Sequence, residues 1–481
     1  MNKINPIFKV PNSLIVRHHD EGNTLPEYRT EFMRDRDRLM YATAFRRLSG
    51  KTQIYTVGSD DHRKNRLTHT LEVSQIARTI AIALGFDSDL AEAIALGHDF
   101  GHTPFGHAGE RMLHDILIPG SSYIKCSPLY GKSLSDIKNQ FERENPGKEN
   151  SLEYIFGFKH NLQSVRVAAL LEDSYRNQKK ENVGLNLTNF TLYGMMIHST
   201  LAYKDSEVEP NFHNMFMEQM RLKGSEEAAW SFEAYIVKMA DDIAQWHHDL
   251  EDAMREGVLP LKKICNTILE SLEQAISDKD KKKLSDIKEG TSINRKRIAE
   301  LSHIVVNTLV GDLVNTSIQN FENIEKELKE KGVTDSEQLF KEFDGLKLQM
   351  EREQIVSFSN KIKTKKFKEV IKASIHHSRN VERMNEKGKY IIRKLFEAYF
   401  MHPQQLPDGP ILHFLVEMED RKYKNIDEAK EAGIGEARVE FDRIIQNPSI
   451  YDQCILMRRI CDHIASMTDR YAIEEYNNLY G

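Results

Sequence analysis

Histidine and carboxylate residues between Arg66 and Glu110 stand at spacings that suit a metal site. His69 opens a helical pattern, and His98 and Asp99 are adjacent just before a glycine. Neutral imidazole and carboxylate groups are accepted by divalent metals of intermediate hardness, and no cysteine lies nearby to indicate a thiolate zinc site. A lone histidine or a lone His-Asp pair is more often an ordinary solvated feature, so the prediction depends on a fourth ligand.

A separate segment from Ser231 to Met254 supplies that ligand. Its apolar residues recur at the helical period, yet Asp241 and Asp242 interrupt a sequence that otherwise predicts a buried helix. Buried carboxylates are costly unless a cation compensates them. Taken alone, an amphipathic helix with an acidic solvent side explains this pattern about as well. Together with the upstream cluster, the pattern favours a metal site with these four ligands: His69, His98, Asp99 and Asp241.

A second group of ionisable residues follows the His-Asp pair. His102 comes first, and a turn containing Pro104 precedes a predicted helix that carries His107 and Glu110. Because residues i and i+3 lie on one face of a helix, the carboxylate can reach the imidazole.

Short helices are predicted to bring these side chains together from separate segments. A helix capped by Thr68 runs to about Leu84, and Asp87 or Ser88 caps a second helix that ends at the His-Asp pair. A third helix begins after Pro104. The patterns along the whole chain are helical, so the fold class predicted is all-α.

Composition narrows the class of protein. The 481 residues carry a formal charge of −6, which gives no broad basic field for nucleic acid, so any phosphate affinity should come from a local pocket. No stretch is long and apolar enough for a membrane span, and the amino terminus lacks an apolar signal region. Four scattered cysteines indicate free thiols in a reducing cytoplasm, which is the predicted location: Cys126, Cys265, Cys454 and Cys461.

The order H…HD…D resembles that of the HD-domain metallophosphohydrolases. The flanking segments resemble one branch, the deoxyguanosinetriphosphate triphosphohydrolase-like proteins, over most of the first 250 residues and again near the C-terminus. The matching segments are RDRDRLMYATAFRRLSGKTQIY from Arg34, RLTHTLEVSQIAR from Arg66, GHDFGHTPFGHAGE from Gly97, GLNLTNFTLYG from Gly184, ADDIA from Ala240 and ICDHIASMTDRYA from Ile460.

The resemblance implies hydrolysis of a deoxynucleoside triphosphate to a deoxynucleoside and inorganic triphosphate. A divalent ion, Mg or Mn foremost with Fe, Zn or Ni open, would polarise a phosphoryl oxygen and make water more acidic. Water would attack the α-phosphorus, and the 5′-oxygen would leave with a proton. His107, oriented by Glu110, is the expected general acid, and His102 is expected to be a cationic neighbour of the phosphates.

The resemblance also implies the substrate contacts. Gln53 and Asp249 should hydrogen-bond the sugar 3′-hydroxyl, Arg66 should contact the base or the phosphates, and Ile54 should lie beside the nucleotide. His160 would stand at the pocket wall, although an ordinary histidine at a helix start explains it equally well. Gln245 should also line the pocket, and here the sequence departs from the family pattern. Relatives usually carry tyrosine at this position, and its ring closes the pocket against the sugar.

Composition and periodicity, together with the resemblance for the last helix, suggest the organisation of the chain. Residues 1–257 would form an HD core with an irregular insertion at about 119–159, which could be a mobile lid. Residues 258–481 would form a helical region that packs on this core, with a charged loop at 278–290 and one last helix from Ile455 to Tyr476.

Two other functions stay open at this point. An HD phosphodiesterase or nucleotidase acting on nucleoside monophosphates or cyclic nucleotides would share the four metal ligands, and a non-catalytic nucleotide sensor could keep a metal for structure. Family members commonly form homo-oligomers, and a nucleotide activator is possible. The preferred base cannot be deduced from the residues.

Overall fold

The protein is described by a computed structural model over residues 4–22, 25–53, 64–144, 156–177, 182–197, 229–272, 274–289, 294–417 and 422–481. The predicted all-α class is confirmed: the described residues form helices, with three isolated bridges and no β-sheet. None of the described helices combines the length and hydropathy needed to cross a bilayer.

The helices of four or more residues are numbered here in chain order, with short 3₁₀ and π turns left unnumbered. They are α1 Glu31–Tyr41, α2 Thr43–Arg47, α3 Arg66–Leu84, α4 Ser88–Gly97, α5 Gly106–Leu117, α6 Leu134–Glu144, α7 His160–Arg166, α8 Asn189–Ile197, α9 Phe232–Arg255, α10 Leu261–Leu272, α11 Asp278–Lys288, α12 Arg295–Glu330, α13 Ser336–Glu342, α14 Arg352–Ile355, α15 Thr364–Phe367, α16 Ala373–His376, α17 Arg379–Met401, α18 Asp408–Glu417, α19 Ile426–Ala432, α20 Ile434–Ile445, α21 Ile450–Ser466 and α22 Asp469–Tyr480.

Helix α3 begins one residue after Asn65, three residues before the start predicted from Thr68. The Asn65 side chain accepts from the Thr68 amide at 3.0 Å, and the Thr68 hydroxyl accepts from the Asn65 amide at 3.2 Å. This reciprocal capping box uses Thr68 as the third residue of the helix. His69 therefore still lies in the first turn, and Gly85 ends the helix with φ 87° as predicted.

Helix α4 begins where the sequence predicted, because the Asp87 carboxylate accepts from the amides of Asp89 and Leu90. Helix α9 is likewise capped by Ser231 and runs without a break for 24 residues. Its length carries Asp241, Gln245 and Asp249 along one side of α3.

Two large apolar clusters organise the helices. The first joins α3, α4 and α9 to α10–α15, including the 36-residue α12, so helices on both sides of residue 257 share one core. The second joins the buried side of α5 to α17, α18 and α20–α22. Helix α5 therefore packs with the C-terminal helices, whereas α3, α4 and α9 pack with the middle of the chain.

Two predictions about the C-terminal half were wrong in detail. The expected charged loop at 278–290 contains α11, because Ser277 caps it and Leu284 and Ile287 pack inward. The expected single last helix is two helices, since Met467 is extended and Thr468 caps α22. The expected insertion contains α6, and its residues 145–155 lie outside the described part of the chain.

Candidate metal centre and active site

The four predicted metal ligands meet where α3, α4 and α9 cross. His69 Nε2 lies 2.9 Å from Asp241 Oδ1, and His98 Nε2 lies 4.0 Å from the same oxygen. His98 Nε2 also lies 3.4 Å from Asp99 Oδ1. The side chains of His69, His98 and Asp99 are buried, whereas the side chain of Asp241 is 29 % exposed and leaves the cluster accessible to solvent.

The donor set fits a divalent cation. The Nδ1 of His98 lies 2.5 Å from the carbonyl oxygen of Ala95, and a carbonyl can only accept, so Nδ1 carries the hydrogen. The Nε2 lone pair of His98 is therefore directed at the two aspartates. His69 Nδ1 is buried and has no hydrogen-bond partner among the described residues. His69, His98 and Asp99 can each offer a ligand atom within 4.8 Å of the others, and Asp241 Oδ1 lies within 4.0 Å of both histidines. These two imidazoles and two carboxylates form the mixed nitrogen and oxygen set that such metals accept.

Both aspartates are held ionised. Burial alone would raise the pKa of Asp99, but the neighbouring His102, His98 and Arg66 hold it well below its ordinary value. Burial likewise opposes the ionised form of Asp241, and the hydrogen bond and charge of His69 lower its pKa. The carboxylates are therefore anionic at neutral pH, which is the form that binds a cation.

Arg66 joins the metal ligands to the turn that precedes α5. Its Nη1 donates to Asp99 Oδ2 at 2.8 Å, and its Nη2 would lie 3.4 Å from a Cβ placed on Gly106. The Nε of Arg66 is buried and has no hydrogen-bond partner among the described residues. A guanidinium with an unused donor beside a metal centre suits a phosphate oxygen.

Glu110 is the centre of the second cluster. Its Oε2 lies 2.9 Å from His107 Nδ1 and 3.2 Å from His160 Nδ1, while Lys159 Nζ lies 3.1 Å from Oε1. Burial would raise the pKa of Glu110, but these neighbours, His160 foremost, keep it well below its ordinary value. The anion orients His107 so that Nε2 faces away, and the His107 side chain is 60 % exposed.

His102 and His160 connect the two clusters. Their rings stack with centroids 3.8 Å apart, and His102 Nδ1 lies 2.8 Å from Asp99 Oδ1. Burial and the charge of Arg66 lower the pKa of His102 well below its ordinary value. This direction favours a neutral imidazole in the free protein, whereas the sequence predicts a cation near the phosphates, and that role stays a prediction.

Gly101 makes this stacking possible. A Cβ at this position would lie 2.1 Å from the carbonyl oxygen of His160 and 2.3 Å from the amide nitrogen of Ser164. The Gly101 amide donates to the Ser164 hydroxyl at 2.9 Å, and this hydroxyl donates to the His98 carbonyl at 2.7 Å. The backbone of α7 therefore packs directly on the turn between the two clusters.

A polar network borders the metal ligands on the side of α9. The Gln53 amide donates to Gln245 Oε1 at 3.2 Å, and the Gln245 amide donates to Asp249 Oδ1 at 2.9 Å. Gln53 Oε1 is buried and has no hydrogen-bond partner among the described residues. Burial raises the pKa of Asp249 to about 6. The structure thus brings Gln53, Gln245 and Asp249 together, whereas Ile54 lies outside the described residues.

Sequence reasoning missed a third cluster beside His69. Glu72 Oε2 lies 2.5 Å from His248 Nε2 and 3.3 Å from His247 Nδ1, and Lys64 Nζ lies 2.8 Å from Glu72 Oε1. The ring of His248 lies edge-on to His69, with centroids 5.0 Å apart. The available signal was the position of Glu72, which follows His69 by three residues and so faces the same side of α3.

Comparison with known families agrees with this geometry. The HD domain model matches residues 66–145, which hold His69, His98 and Asp99 and also the His107–Glu110 pair. A phosphohydrolase-associated domain matches residues 355–426 and 441–478, which include α17, all of α21 and most of α22.

Curated relatives match nearly the whole chain. Deoxyguanosinetriphosphate triphosphohydrolase-like proteins of Bartonella henselae and Leptospira interrogans are 30% and 31% identical, over 96% and 94% of this chain and 91% and 90% of their own lengths. A protein of the same description from Geobacter metallireducens is 29% identical over 94% of this chain and 89% of its own length. The chain therefore belongs to the deoxyguanosinetriphosphate triphosphohydrolase-like family, and it is a metal-dependent phosphohydrolase of the HD-domain class.

Proposed function

We propose that this protein hydrolyses deoxynucleoside triphosphates to a deoxynucleoside and inorganic triphosphate. The observation that carries the proposal is the direct junction of two clusters. One carboxylate oxygen of Asp99 faces His98, and the other accepts from Arg66. Arg66 in turn borders the turn that leads to His107. A phosphate held at Arg66 would therefore lie between the cation and an oriented imidazole.

His69, His98, Asp99 and Asp241 would hold the cation, with Mg or Mn proposed first because carboxylates supply half of the donor set. When bound, such an ion supplies Lewis acidity for a phosphoryl oxygen and increases the acidity of water. The protein side chains supply position and charge.

The protein's own contribution to bond cleavage is a proton. In-line attack of water on the α-phosphorus forms a P–O bond and breaks the bond to the 5′-oxygen, which leaves as a poor leaving group unless it is protonated. His107 Nε2, on the side of the ring away from Glu110, would donate that proton, and the proton of the attacking water would pass to solvent. The Glu110 anion stabilises the protonated imidazole before transfer.

The Gln53–Gln245–Asp249 network would receive the sugar. Gln53 Oε1 is a buried acceptor without a partner among the described residues, so a 3′-hydroxyl could donate to it. The carboxylate of Asp249 is the second acceptor, and Gln245 fixes both groups through its amide. His160 would shape the pocket wall through its stack on His102.

The experiment is a substrate screen with purified protein. The four dNTPs, singly and mixed, are incubated with Mg or Mn, and the product is analysed for triphosphate and for orthophosphate. Triphosphate release supports the proposal, whereas hydrolysis of monophosphates or cyclic nucleotides alone would favour the nucleotidase alternative, and absence of turnover with metal bound would favour a sensor. Acceleration by a second dNTP would reveal an activator. Assembly as a cytoplasmic homo-oligomer stays a prediction, which sedimentation with and without nucleotide tests.

A further inference from the structure

The turn before His107 has a backbone that needs external support. Phe105, the N-cap of α5, has φ 61°, and Gly106 follows with φ 57°. The left-handed region is unfavourable for a residue with a Cβ, and it persists in a fold when the surroundings hold it there. His107 follows Gly106 directly, so the contacts that hold Phe105 also fix the position of the His107 backbone.

The carboxylate of Asp469 holds this turn from the start of α22. Its Oδ1 accepts from the Phe105 amide at 3.0 Å, and its Oδ2 accepts from the Thr52 amide at 3.1 Å and from the Thr52 hydroxyl. Asp469 is 1 % exposed. Thr52 immediately precedes Gln53, so a single buried anion supports the segments that carry the proposed proton donor and the proposed sugar contact. Hydrogen bonds to a buried carboxylate are among the stronger ones in proteins.

Two further contacts reach the same region from the C-terminal helices. A Cβ on Gly388 of α17 would lie 2.7 Å from Phe105 Cβ and 2.8 Å from its Cγ, so the helix backbone packs directly against the phenyl group. Lys51 Nζ, which is fully buried, donates to the Ala465 carbonyl at 2.8 Å and also to the His102 carbonyl. The C-terminal members of these contacts all fall within the residues that match the phosphohydrolase-associated domain.

We propose that Asp469 is a positioning residue for the reaction: it places the His107 imidazole through Phe105 and the Gln53 segment through Thr52. The phosphohydrolase-associated region would thus support the active site through its contacts with Thr52 and Phe105, without touching the substrate. This inference rests on the proposed role of His107, and it adds a residue that does not touch substrate or metal.

Asp469→Asn is the informative change because it preserves the size of the side chain. It replaces one acceptor oxygen with an NH₂ group that would face either the Phe105 amide or the Thr52 amide, and two donors cannot bond. The metal ligands are untouched, so metal content should equal that of the wild type. We expect kcat to fall roughly 10-fold to 100-fold, as small displacements of a reacting group do.

A double variant separates positioning from general damage. If Asp469 acts on proton transfer through His107, adding Asp469→Asn to His107→Ala should change kcat less than about twofold, because residues that act as a unit are not additive. The displacement of Gln53 through Thr52 should appear in KM instead. Tyr399→Phe is the matched control. It removes the 2.6 Å hydrogen bond to Glu475 of the same last helix and touches neither Phe105 nor Thr52, so it should lower the melting temperature without lowering kcat.

Gly388→Ala tests the same turn without changing any charge. The added methyl would push on Phe105, and we expect kcat to fall several-fold with metal content unchanged. Gly311→Ala in α12 is the control, since a Cβ there meets no heavy atom within 4 Å. If Asp469→Asn does not fold, this pair of glycine variants still tests whether the turn that Asp469 holds positions His107, and wild-type kcat in Gly388→Ala would then overturn the inference.

Wild-type kcat in folded Asp469→Asn would overturn the inference, and so would additive losses in the double variant. A failure of the proposed function has another signature: His107→Ala would then turn over like the wild type. Loss of kcat in both single variants, non-additivity with His107→Ala and normal activity of both controls would establish the positioning role.

Discussion

The metal centre and the His107–Glu110 cluster adjoin each other but are supported by different parts of the chain. The metal ligands lie on or directly after α3, α4 and α9, which share the first apolar cluster. Helix α5 carries His107 and Glu110, and its buried side belongs to the second cluster with the C-terminal helices. The geometry of the metal ligands therefore follows from helix packing in the first apolar cluster, whereas the position of the proposed proton donor depends on packing in the second.

This difference means that the two clusters should fail separately. A change at a metal ligand removes the cation and leaves α5 in place, whereas a change at α5 leaves the cation bound and slows the proton transfer. Metal content and kcat, measured on the same preparations, therefore distinguish the two halves of the site.

The largest effect is expected from Asp241→Ala. We expect loss of bound metal and of activity to background, because this carboxylate faces both His69 and His98. Asp242→Ala is the matched control. Asp242 is 45 % exposed and lies 3.7 Å from Lys368, so its loss should be much milder. Metal analysis by mass spectrometry, with turnover, checks both; equal metal content in Asp241→Ala and wild type would refute the ligand assignment.

His107→Ala should disable the His107–Glu110 cluster. Metal and substrate binding should be nearly intact, and kcat should fall by roughly 10²-fold or more, the usual contribution of a placed general acid. Glu110→Gln should show a smaller loss of the same kind, since it removes the anion behind His107. Single-turnover kinetics with metal analysis provide the measurement. An emptied metal site in His107→Ala would show that the two clusters are not independent.

Gln245→Tyr should sharpen selection at the sugar without affecting either cluster directly. Tyrosine is bulkier than glutamine and can exclude a 2′-hydroxyl, although it also gives up the hydrogen bonds to Gln53 and Asp249. We expect the ratio of kcat/KM for a dNTP over the matching rNTP to rise several-fold. An unchanged ratio would mean that position 245 does not face the sugar.

The smallest effect concerns the free energy of unfolding and a residue of α9, the helix that carries the metal ligand Asp241. Burial raises the pKa of Glu233, in the first turn of α9, to about 7 from an ordinary 4.5. Between these values the folded protein retains a proton that the unfolded chain has lost, so the free energy of unfolding falls as pH rises through this window. Glu233→Gln should therefore be more stable than wild type above pH 7, by roughly 1 to 3 kcal/mol.

The advantage of Glu233→Gln should shrink as the pH approaches 4.5. Urea unfolding of both proteins at several pH values checks this, and kcat at pH 8 serves as a control that should not change. A constant difference across the pH range would show that Glu233 does not titrate in this window.

Local signals in the sequence predicted much of this architecture. Helical periodicity and capping residues predicted the three helices of the metal centre, and residue type together with spacing selected the candidate ligands His69, His98, Asp99 and Asp241. The start of α3 was misplaced because Asn65 and Thr68 can both cap, and only their reciprocal bonding in the fold decides between them. Periodicity also continued through Thr468, where a second cap divides the last helix.

Contacts between distant segments could not be predicted in this way. Glu72 and His248 are separated by 176 positions, and Asp469 and Thr52 by 417. Such pairs are set by how helices pack, so a single sequence shows the residue types without the partners. The lowered pKa of His102 could not be predicted for the same reason, since burial depends on tertiary structure.

Gly101 limits how this site can be altered by evolution or by design. A Cβ at Gly101 would lie within 2.6 Å of backbone atoms of His160, Gln163 and Ser164, so a side chain at this position requires a shift of the α7 backbone. Moving α7 would carry His160 away from both His102 and Glu110. A new substrate specificity is therefore easier to obtain by substitutions around Gln245 than by substitutions at Gly101, where α7 packs between the two clusters.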